Sequence, residues 1–138
     1  MDTPSPLPPF EPGILLGIGC DLVEIERIHK SIERNGEHFL KKVFTENEIA
    51  LCESSANKFQ RYAARWAAKE AASKALGTGI GEHLALTDIS VENDPRGEPV
   101  AVFSPAAQKT IDARGGTRIL LSLSHTQTHA LATAVLIK

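Results

Sequence analysis

Cysteine is scarce. Cys20 and Cys52 are the only two in 138 residues, too few for a disulfide scaffold and not spaced as a CxxC metal pair. Free thiols are the expected state. Excess charge is also missing, since 15 basic and 17 acidic residues leave a formal charge of -2. That balance argues against general nucleic-acid coating, which needs a positive surplus or a strong basic stripe. No apolar run approaches the roughly 20 residues that span a bilayer. The opening MDTPSPLPPFEPG lacks the basic start and apolar middle of a secretory signal. A cytoplasmic protein with no membrane and no nucleic-acid partner is therefore expected. Internal repeats are lacking too.

What is present suits one globular domain. The chain is 42% hydrophobic and 23% charged, close to globular averages, and a chain of this length buries about 70% of its unfolded surface. Five of the eight prolines fall in the first 12 residues. Proline removes donors and favours extended backbone, so residues 1–13 are expected to be a flexible arm ahead of a single domain, 14–138.

Residues 14–19, ILLGIG, read as a short strand covered on both faces. Residues 24–34 read as a helix closed by Asn35-Gly36. Thr45 and Glu48 match a capping box, predicting a helix to about residue 54. The longest helix is expected from Asn57, as N-cap, to Leu76, with Gly77 just past its end. Phe59, Tyr62, Ala63 and Trp66 share one face of it, and Ala64, Ala68, Ala71 and Ala75 the other. A helix apolar on two sides is normally sandwiched inside a fold. Strands are expected at 87–92, 100–103, 118–124 and 130–137, with a turn at Asp94–Gly97. A Ser104-capped helix is expected from Pro105 to about Arg114. Helices followed by neighbouring strands predict an α+β fold with helices on an antiparallel sheet.

Four stretches carry chemistry. GIGCD (17–21) puts Asp21 at a strand end beside glycines that admit close backbone approach; a helix cap is the alternative for that carboxylate. RWAAKEAASK (65–74) concentrates Arg65, Lys69, Glu70 and Lys74 on an alanine-rich helix. An exposed Glu70–Lys74 pair is the plain alternative, but the turns around it look packed, and a buried charge needs a partner or a metal. GTGIG (77–81) follows directly. Its amides could cradle a phosphate, although it lacks the strand–helix context of the known phosphate loops. SLSHT (122–126) brings His125 to a strand end. His125 and His129 form HxxxH, but that spacing suits zinc on a helix rather than in β structure. Two hard oxygen ligands with Lys, Arg and a glycine loop suit Mg²⁺ bridging to a diphosphate.

GIGCDLVEIERI, FTENE, RWAAKEAASKALGTGIG and LSLSHT occur in the order and spacing of the holo-acyl-carrier-protein synthases, the small bacterial-type 4′-phosphopantetheinyl transferases, which the chain resembles over about residues 14–137. The resemblance implies transfer of the phosphopantetheine arm of coenzyme A to a serine of an apo acyl carrier protein or carrier domain. Asp21 and Glu70 would be Mg²⁺ ligands, and Lys74 would contact the phosphates near the transferred group. Arg65, Lys69, the loop of Gly77, Thr78 and Gly79, and His125 would hold the cofactor's phosphates and nucleotide. It also implies a 4′-phosphopantetheinyl transferase-like fold in a homotrimer with each active site between subunits. The apolar last two strands suit such an interface. Arg27, Lys30 and Arg34, at i, i+3 and i+7, form one basic stripe for an acidic carrier; a solvated face is the alternative. Two rival classes remain in view, a non-catalytic coenzyme A-binding module and a Mg-dependent nucleotide diphosphohydrolase.

Overall fold

A computed structural model of the chain describes residues 6–138; the first five residues of the expected arm lie outside that range. Strand β1 (Leu15–Glu24) leads into α1 (Ile25–Val43), α2 (Glu46–Glu53) and α3 (Lys58–Leu76). After a single 3₁₀ turn come β2 (Ile89–Asn93), β3 (Pro99–Phe103), α4 (Pro105–Ala113), β4 (Arg118–His125) and β5 (His129–Ile137). The five strands form one antiparallel sheet in the order β1-β5-β4-β3-β2. This is the expected α+β arrangement.

Local chemistry sets the ends. Thr45 accepts from the Glu48 N–H while Glu48 reaches back to the Thr45 N–H, the full capping box. Ser104 accepts from the Ala107 N–H, with Pro105 opening α4. Gly77 stops α3 in the left-handed region at φ 78°. Asn57 occupies the N-cap position of α3 without a side-chain cap bond.

α3 lies between the sheet and α1, as its two apolar faces imply. Ala64, Ala67, Ala68, Ala71, Ala72 and Ala75 are buried on it, with Tyr62 beneath α2. The alanines let the sheet approach closely, and β1 approaches closest. A Cβ built on Gly19 would sit 1.9 Å from the Ala71 carbonyl oxygen, and one on Gly17 2.1 Å from that of Ala75. Strand and helix therefore meet backbone to backbone, and only glycine fits. Gly19→Ala is expected to lose about 3 kcal/mol or more, a drop in Tm of roughly 10 °C for a domain of this size. Gly81→Ala, where a Cβ meets nothing within 4 Å, should melt within a degree or two of wild type. Thermal unfolding of the pair checks this.

One expectation is corrected and one is extended. The first strand is not covered on both faces, and it runs on to Glu24. Gly19 and Val23 face α3, whereas Ile18 and Leu22 on the outer face are 65% and 63% exposed. The stop at Asn35-Gly36 is present: Gly36 takes φ 52° and ψ −131°, outside helical values, and what the sequence reading lacks is the second helical segment of α1 that follows the kink and runs to Val43. The resumed turns pack Phe39 and Leu40 against the core, with Phe39 stacked on Trp66 at 6.2 Å.

Candidate active site

Asp21 reaches the site from the inward face of β1, two residues beyond the contact at Gly19. Glu70 and Lys74, one turn apart on α3, meet it there. Lys74 Nζ donates to the Cys20 carbonyl at 2.9 Å and to Asp21 Oδ1 at 3.4 Å. Burial pushes the Glu70 carboxyl up, the Asp21 charge adds to that, and Lys74 and Arg27 pull it back down. Two carboxylates that repel one another beside a half-exposed lysine make an oxygen-only donor set. Such a set fits a hard divalent cation that completes its shell with phosphate oxygens and water. Among the described residues no group of three or more His, Cys, Asp or Glu side chains gathers in a way that could hold a metal ion by itself.

A second group gathers where β4 and the β2–β3 turn meet the first half of α3. A cleft of about 290 Å³ is lined by Asn57, Arg61, Arg65, Asn93, Gly97 and His125, among others. Arg65 is buried, its Nε donating to the Val91 carbonyl at 3.1 Å, so its guanidinium is held rigidly at the cleft wall. Arg61 was not among the expected residues. It lies one turn before Arg65, and that i, i+4 spacing was the available signal. Arg61, Arg65 and His125 together suit a phosphate dianion.

The two groups do not share one cleft. Arg65 and Glu70 are five residues apart on α3, hence about 140° around and ~7.5 Å along the axis.

Lys69 is a correction. It is 0% exposed, paired with Glu48, and donates to the carbonyls of Leu86 and Ile89. All three of its protons are spent inside the core, so it cannot reach a cofactor phosphate. Burial lowers its proton affinity and Glu48 opposes that. The glycine loop is corrected in part. The N–H groups of Gly77, Thr78 and Gly79 donate to the carbonyls of Lys74 and Ser73, closing α3. They are not free to cradle a phosphate. Positive charge at that corner comes instead from Lys109 and Arg114, which line a cleft with His83, Gly77 and Thr78.

Arg27, Lys30 and Arg34 are exposed on α1. Glu26 and Glu33 both turn to His29, at 3.8 and 2.9 Å. Among the described residues none of the three basic side chains makes an ion pair, so the stripe keeps its charge. Arg27 and Lys30 also line a small cleft with Leu22 and Glu24 at the end of β1, next to Asp21.

No helix among the described residues is long and apolar enough to cross a membrane. Residues 17–134 match the family model of the 4′-phosphopantetheinyl transferase superfamily. The chain is 45% identical to the holo-acyl-carrier-protein synthase of Koribacter versatilis, over 89% of this chain and 98% of that protein. The crystal structure of holo-acyl-carrier-protein synthase from Neisseria meningitidis superposes with a TM-score of 0.85 at 32% identity, covering 91% of this chain and 100% of that one. The Helicobacter pylori enzyme, solved in complex with coenzyme A, gives 0.78 at 34% identity over 86% and 98%. With the paired carboxylates on β1 and α3 and a family match over nearly the whole domain, the chain belongs to the 4′-phosphopantetheinyl transferase superfamily, alongside the holo-acyl-carrier-protein synthases.

Proposed function

We propose that the protein transfers the 4′-phosphopantetheine group of coenzyme A to a serine of an apo acyl carrier protein or carrier domain. The observation that carries this reading is the meeting of Asp21, Glu70 and Lys74 where β1 crosses α3, inside the segment that matches the family. The serine Oγ–phosphorus bond forms as the bond from phosphorus to the bridging diphosphate oxygen breaks. Adenosine 3′,5′-bisphosphate leaves with that oxygen. Phosphoryl transfer of this kind is catalysed mainly by positioning and charge neutralisation.

Asp21 and Glu70 would hold Mg²⁺, which when bound neutralises charge on the diphosphate. Lys74, anchored by the Cys20 carbonyl and Asp21, keeps donors free for phosphate oxygens. Glu70, whose proton affinity burial and Asp21 raise, is suited to accept the serine proton. Arg61, Arg65 and His125 would grip the nucleotide's phosphate in the cleft they line.

Because that cleft and the carboxylates lie on different faces of α3, one coenzyme A would draw on two copies of the chain. A homotrimer satisfies this, and the open apolar outer face of the sheet, with Ile18, Leu22, Val102, Leu120 and Leu131 partly exposed, supplies the interface. The free thiols of Cys20 and Cys52 fit a reducing cytoplasm. Incubating the protein with coenzyme A, Mg²⁺ and apo acyl carrier protein should add the phosphopantetheine mass to the carrier. Hydrolysis of coenzyme A without gain on the carrier would overturn the reading.

The unpaired stripe of Arg27, Lys30 and Arg34 faces the acidic carrier in this scheme. Rim charges act mainly on encounter rate and salt dependence. Arg27→Glu and Arg34→Glu are expected to raise the KM for carrier protein several-fold, with little change for coenzyme A. Steady-state kinetics with each substrate varied checks this, and an equal rise in both KM values would leave the stripe a solvated face.

A further inference from the structure

Glu48 closes the FTENE stretch (44–48) and is fully buried. It does not line the cleft of Arg61, Arg65 and His125. A buried carboxylate must be spent on partners inside the fold. Its Oε1 accepts from the Thr45 N–H and pairs with Lys69, and its Oε2 accepts from the Val91 N–H at 2.8 Å.

Val91 links this carboxylate to the cleft. β2 is an edge strand of the sheet, and in an antiparallel strand the N–H and C=O of one residue turn to the same side. Those of Val91 turn away from β3, to the edge where no further strand pairs. The residues bonded to β3 are then its neighbours, Ser90 opposite Val102 and Glu92 opposite Val100. At the outer edge Glu48 takes the Val91 N–H from α2, and Arg65 Nε donates to the Val91 C=O from α3 at 3.1 Å. Two residues earlier on that edge, the Ile89 carbonyl takes Lys69 Nζ at 2.7 Å. Side chains of two helices thus satisfy an edge that would otherwise present bare backbone groups.

The bond to Val91 is the only hydrogen bond of the Arg65 guanidinium among the described residues. No buried side-chain nitrogen among them lacks a partner, so the two Arg65 Nη groups reach the open space of the cleft. The Val91 carbonyl aims them there.

We infer that Glu48 is a positioning residue for the cleft: by holding the Val91 N–H it sets the carbonyl that aims Arg65, and so sets the affinity for a phosphate dianion. In coenzyme A the 3′-phosphate is the one monoester, hence the one dianion near neutral pH. This rests on the reading above of the cleft as the phosphate site of the cofactor.

The test is isothermal titration calorimetry of the full chain with coenzyme A and with 3′-dephospho-coenzyme A. Two variants share Lys69→Met, so that no buried ammonium is stranded. Lys69→Met/Glu48→Gln keeps an acceptor for the Val91 N–H, and Lys69→Met/Glu48→Leu has none. The glutamine variant should bind coenzyme A as wild type does. The leucine variant should bind it about tenfold more weakly, the loss of one well-aimed charge-assisted bond, and bind 3′-dephospho-coenzyme A unchanged. If circular dichroism finds the leucine variant unfolded, Glu48→Asp takes its place with the same expectation. It keeps a carboxylate for Lys69 but is one methylene too short for the Val91 N–H. Equal affinities in the glutamine and leucine variants, or a loss of the same size for both cofactors, would leave Glu48 a purely structural residue and overturn the inference. A wild type that binds the two cofactors alike overturns the phosphate reading of the cleft, and the inference with it, whatever the transfer assay shows.

Discussion

Glu70→Gln is expected to cut phosphopantetheine transfer by roughly 10³-fold, about 4 kcal/mol of transition-state stabilisation, and to raise the melting temperature at neutral pH. The two effects have one origin. Glu70 is partly buried and sits in the field of Asp21, so its charged form is disfavoured in the folded state. A carboxyl whose folded pKa lies above its unfolded value gives stability that is fully present below the unfolded value, near pH 4.5. That stability is lost as pH rises through the folded one. Glutamine has no proton to lose. In metal-free buffer the variant and wild type should melt together near pH 4, and the variant should melt higher at pH 7–8. Added Mg²⁺ should stabilise wild type by ligand linkage and leave the variant unchanged. Asp21→Asn should lose transfer to a similar degree. Differential scanning calorimetry across pH, with the transfer assay beside it, reads all of this; full activity in Glu70→Gln would overturn the carboxylate assignment.

Much of this arrangement is legible in the residues because it depends on short-range chemistry. Thr45 and Glu48 announce their capping box, Ser104-Pro105 opens a helix, and Gly77 ends one. The doubly apolar pattern of α3 reports correctly that it is packed on two sides. The glycines at 17 and 19 point to close approach, though not to the helix that approaches. What escapes sequence reading depends on distant partners. An unbroken apolar run such as ILLGIG looks the same whether its second face meets a layer of its own chain or lies open as on β1. Asn35-Gly36 is a sound stop signal, but Phe39, Leu40 and Val43 beyond it have core to bury against, and that burial restarts the helix after the kink. The phosphate loop fails for a similar reason. Whether amides at a helix end face a ligand or close the helix is decided by the Ser73 and Lys74 carbonyls that take them.

Lys69 is the sharpest case, and its replacement should have the second large effect. On sequence it is one more cation in RWAAKEAASK; in the fold its ammonium is sealed between α3, the 3₁₀ turn and β2, with the Phe44 ring 5.5 Å away. Its partner Glu48 is equally buried and spends its other oxygen on the Val91 N–H at 2.8 Å. The cluster thus ties α2, α3 and β2 together, and Thr45, which caps α2, extends it to Ser90 at 2.7 Å. Removing one member of a buried ion pair leaves the other charge uncompensated and costs about 3–5 kcal/mol, a large part of the ~5–15 kcal/mol that holds a typical domain. Lys69→Met should therefore unfold at much lower denaturant or temperature. Lys69→Met/Glu48→Gln should recover part of the loss, because the neutral amide oxygen still accepts from Val91 without burying a bare charge. The double-mutant comparison isolates the pair. A Lys69→Met protein that melts like wild type and only binds coenzyme A more weakly would return this lysine to the cofactor site.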